Sequence, residues 1–203
     1  MPRLRTTRED RFAAIFIAVS RWRHSRRDEE DRDDLLDGAS AYILCMEAKT
    51  PTLYEWVGGI DRIEALFGAF YEKVPADSVL GPVFAQMSKD HFHIVAHFVA
   101  EVLGGPKLYS GDGLHSHSSM VAKHIGRHLT NEQRKRWVSL LLDTADELKL
   151  PDDPEFRSAL VGYLEWGSRL AVINSTTTEN PIGSDAPMPK WGWGEVKGPY
   201  APD

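Results

Sequence analysis

Cys45 is the single cysteine in 203 residues. No internal disulfide framework can form, which fits a reducing cytoplasm. No apolar run reaches the roughly 18 residues a membrane span needs. The longest early run, residues 12–19, follows arginines as a signal peptide would. However, Glu9 and Asp10 sit directly before it, and Ser20-Arg21-Trp22-Arg23 follows without a small-residue cleavage pattern. It reads as part of a helix rather than an export signal. The net charge of −6 disfavours a nonspecific nucleic-acid surface. There is no glycine-rich phosphate loop opening a helix and no G-x-S-x-G elbow. The Glu-x-x-His pattern of di-iron bundles is missing too. No internal repeat occurs, and no alternating run is long enough for a strand. What remains is a cytoplasmic, all-α chain with no membrane and no nucleic-acid partner.

Hydrophobic residues make up 42% and charged residues 27%, an ordinary globular balance able to bury a core. Residues 1–50 form an N-terminal extension, helical or partly disordered. Its stretch 21–37, RWRHSRRDEEDRDDLLD, is almost continuous charge. It reads as a solvated extension or as a partner-binding arm, and residues 35–48 have the pattern of a short amphipathic helix. Residues 51–174 carry helical periodicity, interrupted by a loop or short turn over 77–84, a glycine- and serine-rich loop over 107–119 and a turn at 151–154. A short helix breaks at Gly58-Gly59. A strong one over 60–74 places Ile63, Phe67, Phe70, Tyr71 and Val74 on one stripe. The next, 89–103, ends at Gly104-Gly105-Pro106. Thr130 with Gln133 has the capping-box spacing that opens a helix to Leu148, with Trp137, Leu140, Leu141 and Thr144 inward. A last helix, 155–173, buries Phe156, Leu160, Tyr163, Leu164 and Leu170. From 175 to 203 the pattern dissolves into a proline- and glycine-rich tail. Its Trp191-Gly192-Trp193 is expected to dock on the domain or on a partner.

Seven of the eight histidines lie between His91 and His128. His124 shares a helical face with Met120 and Val121, so it is either a satisfied core histidine or an axial ligand to a pocket-filling metal cofactor. In the 89–103 helix, His91 falls in line with Val95, Phe98 and Val102 at about 100° per residue. His93 and His97 fall on the opposite side, toward solvent or another surface. The pairs His93/His97 and His124/His128 have the i, i+4 spacing of a helical metal site, with Glu101 as a third group for the first pair. Aromatic residues Phe67, Phe70, Tyr71, Phe84, Phe98 and Trp137 fall on the faces of His91 and His124. Each either packs the core or lines a pocket for a large flat apolar cofactor such as haem.

Residues 52–174 resemble the truncated haemoglobins, most closely group II. The resemblance is carried by LYEWVGG (53–59), FYEKV (70–74), GGPKLYS (104–110), His124 thirteen residues before Trp137, and YLEWGSRLAVIN (163–174). It implies a two-over-two helical sandwich around haem b. His124 would be the proximal iron ligand, with His128 as its rival. Tyr71 and Trp137 would be hydrogen-bond donors to a bound diatomic ligand. Phe84 stands where relatives often carry Tyr or His. His91 stands at the distal gate, where it would donate to the ligand, swing as a gate or take the sixth iron position. Phe67, Val95 and Phe98 would complete the lining. The loop before His124 departs from the family spacing, so His115 and His117 have no assigned counterpart. The implied function is reversible binding of O₂, and of NO and CO, by a monomer or homodimer. NO dioxygenation or peroxidase turnover with a reductase partner is the enzymatic alternative, and a haem-based sensor is a third.

Overall fold

The computed structural model describes residues 50–199. The expectations for the charged extension and its amphipathic helix fall on residues 1–49, outside the described residues. Among the described residues there are seven α-helices and no strand. They are α1 Leu53–Val57, α2 Ile60–Lys73, α3 Gly81–Phe84, α4 His91–Val102, α5 His117–Ala122, α6 Asn131–Glu147 and α7 Pro154–Ser175. The pair α2–α4 packs over the pair α6–α7, with α2 touching α6 across the middle.

Local chemistry sets the boundaries. Thr52 caps α1 reciprocally with Glu55, and Thr130 caps α6 with Gln133; each box satisfies two otherwise orphan N–H groups. Gly58 and Gly59 sit at φ 101° and 82°, conformations that cost a residue with a Cβ, and they let α1 turn directly into α2. The helix expected over 60–74 stops at Lys73, and Val74–Ala76 tighten into a 3₁₀ turn, since Pro75 has no N–H to continue the α ladder. The last helix starts at Pro154, with the Asp153 side chain accepting from Phe156 N.

Phe67, Phe70 and Ile63 of α2, Ala96, Ala100 and Val102 of α4, Leu141 of α6 and Phe156 of α7 are all almost fully buried. Each large side chain among them contributes about 1.5–3 kcal/mol by leaving water. Ala96 and Ala100 are small enough to bring α4 close to α2. One expectation is corrected. Leu170 is half-buried rather than buried, and the charged Arg134 is buried, its guanidinium donating to Glu165 of α7 at 2.7 Å. An apolar stripe read from sequence does not anticipate a cation whose partner comes from the facing helix.

The tail is irregular apart from a 3₁₀ turn, Gly194–Val196, and it docks on the domain. The Trp191 indole donates to Ala159 O at 2.9 Å and lies over Gly162, where an added Cβ would meet the ring at 3.3 Å. The Trp191 backbone N–H donates to Val102 O at 2.8 Å, filling one of the carbonyls a helix end leaves open. Trp193 donates to Pro51 O at 2.6 Å and meets Trp56 edge-on. Upstream, Asn180 donates to Ser118 of α5, and the His117 ring donates to Pro187 O at 3.1 Å.

Candidate functional site

Two segments converge on one half-buried region. The first is α5 and the turns after it. Ser116 and Ser119 cap α5 reciprocally, and the helix ends at Ala122. Residues 123–127 continue in bonds reaching three residues back, His124 N to Val121 O at 3.0 Å and Arg127 N to His124 O at 3.2 Å. His124 thus lies just beyond the helix rather than inside it, yet still one turn above Met120. Its Nδ1 donates to Met120 O at 3.0 Å. That bond places the ring proton on Nδ1 and leaves the Nε2 lone pair free. Burial lowers the His124 pKa, with Arg127 acting in the same sense and the Met120 bond against it, so the imidazole is neutral at pH 7. His128 is exposed and sits at φ 50°, its backbone N–H bonded to Ser175 O. The Gly126 bend carries it away from the His124 face.

The second segment is α2 with α3 and α4. Tyr71 is buried within an aromatic ring set: Phe70 at 4.8 Å, His91 at 5.1 Å, Phe84 at 5.5 Å and Phe67 at 6.5 Å between centroids. Trp137 of α6 joins through Phe70 at 5.6 Å. The Tyr71 hydroxyl lies 3.2 Å from His91 Nε2. Burial pushes the Tyr71 pKa well above its ordinary value, with the Trp137 indole acting in the opposite sense. The phenol therefore keeps its proton and remains a donor. Burial lowers the His91 pKa, helped by the cations of Lys123 and Arg127. Electrostatically, His91 and His124 share one neighbourhood.

Helix α4 carries two apolar stripes. Ala96, Val99, Ala100 and Leu103 are buried in the core. His91, Ile94, Val95 and Phe98, at i, i+3, i+4 and i+7, are only half-buried. Phe98 is backed by the buried Tyr109 ring at 5.1 Å, and the Tyr109 hydroxyl lies 3.2 Å from Ser119 Oγ of α5. The second stripe is apolar surface that the described residues cover only in part. A separate small void of about 20 Å³, lined by Phe67, Val99, Leu141 and Phe156 among others, includes neither histidine.

Of the residues singled out from sequence, Phe67, Tyr71, Phe84, His91 and Trp137 come together around the Tyr71 phenol. Val95 and Phe98 lie along the half-buried stripe. Glu101, the open third group for His93 and His97, does not join them. Glu101 accepts instead from Tyr109 N, Ser110 N and the Ser110 hydroxyl at 3.2, 2.9 and 2.6 Å, because it sits one turn further on, above the loop. The carboxylate that meets both histidines is Glu64 of α2. His115 pairs with Asp112 at 2.7 Å. Sequence reading passed over Met120 O, Lys123 and Arg127. The last two are the basic residues flanking His124, and that position was their only signal.

A family model described as bacterial-like globin matches residues 52–164. The chain belongs to that family. The group 2 truncated hemoglobin YjbI of Bacillus subtilis is 32% identical over 127 residues, which is 63% of this chain and 92% of the relative. Among solved structures, the truncated oxygen-avid haemoglobin of Bacillus subtilis is 31% identical with a TM-score of 0.53, covering 60% of this chain and 99% of that one. The thermostable hemoglobin of Thermobifida fusca is 28% identical with a TM-score of 0.53, covering 64% and 100%. The matched part of this globin is the two-over-two helical sandwich.

Proposed function

We propose that this globin holds haem b against the half-buried stripe of α4, with His124 Nε2 as the proximal iron ligand, and binds O₂ and other diatomic gases reversibly. The observation that carries the reading is the His124 Nδ1 bond to Met120 O, which fixes the tautomer and orients a free Nε2 as metal-ligating histidines require. The residues present suit the cofactor: Val95, Phe98 and Phe84 offer apolar walls, and Lys123 and Arg127 offer cations for its carboxylates. When bound, haem supplies a ferrous iron with an open position for a diatomic ligand.

The chain's own part is orientation and hydrogen bonding. His124 is held neutral by burial and kept from rotating by Met120. Tyr71 presents an un-ionised O–H, Trp137 an indole N–H, and His91 an imidazole within reach of the Tyr71 hydroxyl. The aromatic set around Tyr71 keeps these donors in a water-poor surrounding, where each is worth more than in bulk solvent. O₂ as the physiological ligand follows the Bacillus subtilis relative described as oxygen-avid.

The test is the absorption spectrum of protein supplied with haem, in ferric, ferrous and CO forms. A stoichiometric Soret band that shifts with CO is expected, and failure to take up haem overturns the reading. His124→Ala should abolish stable haem retention, while His128→Ala should leave it nearly intact. The reverse result would place the ligand one turn later.

A further inference from the structure

On the outer side of α2 and α4, three metal-ligating groups face one another apart from the Tyr71 pocket. His93 and His97 are one turn apart on α4, and Glu64 comes from α2. Glu64 Oε1 lies 3.1 Å from His93 Nδ1 and 2.9 Å from His97 Nε2. All three donor atoms lie within 4.8 Å of one another. In a tetrahedral zinc site with bonds of about 2.0–2.1 Å, neighbouring donors are about 3.3 Å apart. A few tenths of an ångström of spreading would open the centre for an ion.

We propose that Glu64, His93 and His97 form a binding site for a divalent first-row transition cation, with Zn²⁺ as the reference ion, bridging α2 and α4. Two imidazoles and one carboxylate are a borderline donor set that suits Zn²⁺, Ni²⁺ or Cu²⁺ and disfavours Mg²⁺ and Ca²⁺, which prefer all-oxygen shells. The site is reachable: the side chains are 29%, 47% and 34% exposed for Glu64, His93 and His97, so water can complete the shell. It is also partly preformed. The His93 ring packs on Phe92 at 3.8 Å between centroids. Among the described residues, no lysine or arginine pairs with Glu64. Desolvation alone would raise the Glu64 pKa, but the bonds from His93 and His97 outweigh it and leave it lowered, so the carboxylate is charged. Each imidazole now donates its ring proton to Glu64. On binding, the nitrogen facing Glu64 would give up that proton, to the ring's other nitrogen or to solvent, and turn its lone pair to the ion.

The experiment is calorimetric titration of the full-length chain with ZnCl₂, and with MgCl₂ in parallel. One equivalent of Zn²⁺ should bind saturably, with no Mg²⁺ heat. Glu64→Gln and His97→Gln should each weaken it by about tenfold or more, as removing one of three ligands requires. His117→Gln, outside the cluster, should leave it unchanged. An unaltered far-ultraviolet spectrum in each variant shows that the fold is kept, and His93→Asn replaces any that fails. The absence of saturable Zn²⁺ binding overturns the proposal. So does binding that survives Glu64→Gln and His97→Gln, or that is lost in His117→Gln. None of these outcomes depends on how His124 is used.

Discussion

Tyr71 is surrounded by rings, and its hydroxyl meets two polar groups, His91 Nε2 at 3.2 Å and the Trp137 indole. If this phenol is a donor to a bound gas, Tyr71→Phe should keep the fold, because the ring and its packing remain. Ligand dissociation should then speed up by about three- to tenfold, the worth of one net hydrogen bond. Stopped-flow displacement of O₂ by CO reads this. An unchanged rate would move the donor role to Trp137. At this scale the sequence was informative where a residue's role depends on its own helix. His91, Val95 and Phe98 follow from a 100° rotation per residue, and they do share a stripe. It was uninformative where a partner arrives from another helix. Glu64 is 29 and 33 positions from the two histidines it meets, so no local spacing points to it, and Glu101, nearer in sequence, turns to the loop instead. Arg134 escaped for the same reason.

Among the elements, α5 matters out of proportion to its six residues. It is too short to be stable alone and depends on the Ser116–Ser119 box, the tail contacts at Ser118 and the buried Val121. Ser116→Ala should cost about 1 kcal/mol of local stability. Amide exchange over 117–122 should quicken about fivefold, and haem should be lost sooner. The Thr130–Gln133 box was legible because it fits the S/T-x-x-E/Q pattern. The Ser116 box was not, because its third helical residue is serine. The connection between α2 and α3 is tied to α6 by Asp77, which accepts from Arg136 at 2.6 Å and from Val79 and Leu80 N–H. The Arg136 bond leads the causes that lower its pKa. A depressed folded value means that the stabilisation is present above the ordinary carboxylate pKa, near 4, and is lost as pH falls through the folded value. Asp77→Asn should therefore lower Tm at pH 7, and the gap from wild type should close as the pH drops below about 4.

Over the whole molecule, the tail belongs to the packing of the domain. Trp191 touches Tyr163 and Trp166 at 6.0 and 5.6 Å and bonds to both α4 and α7. Trp191→Ala should cost about 1–3 kcal/mol, read as a lower urea midpoint. Leu114→Ser, at a side chain 83% exposed, should leave the midpoint in place. The tryptophans announced themselves in the sequence as too apolar for a free tail. Their seats did not, because Gly162, Ala159 O, Val102 O and Pro51 O are backbone features with no side-chain signature.

The bond from Trp193 to Pro51 joins positions 142 residues apart, and that separation is also an interval of time. During synthesis the segment 176–199 follows α7 by 24 residues, roughly one to five seconds at about 5–20 residues per second. Through that interval Trp56 is without Trp193, the Val102 carbonyl is without its donor, and α5 is without its contacts at Ser118. A globin whose tail has not yet docked is thus looser than one whose tail has, and residues 191–193 close the packing of α1.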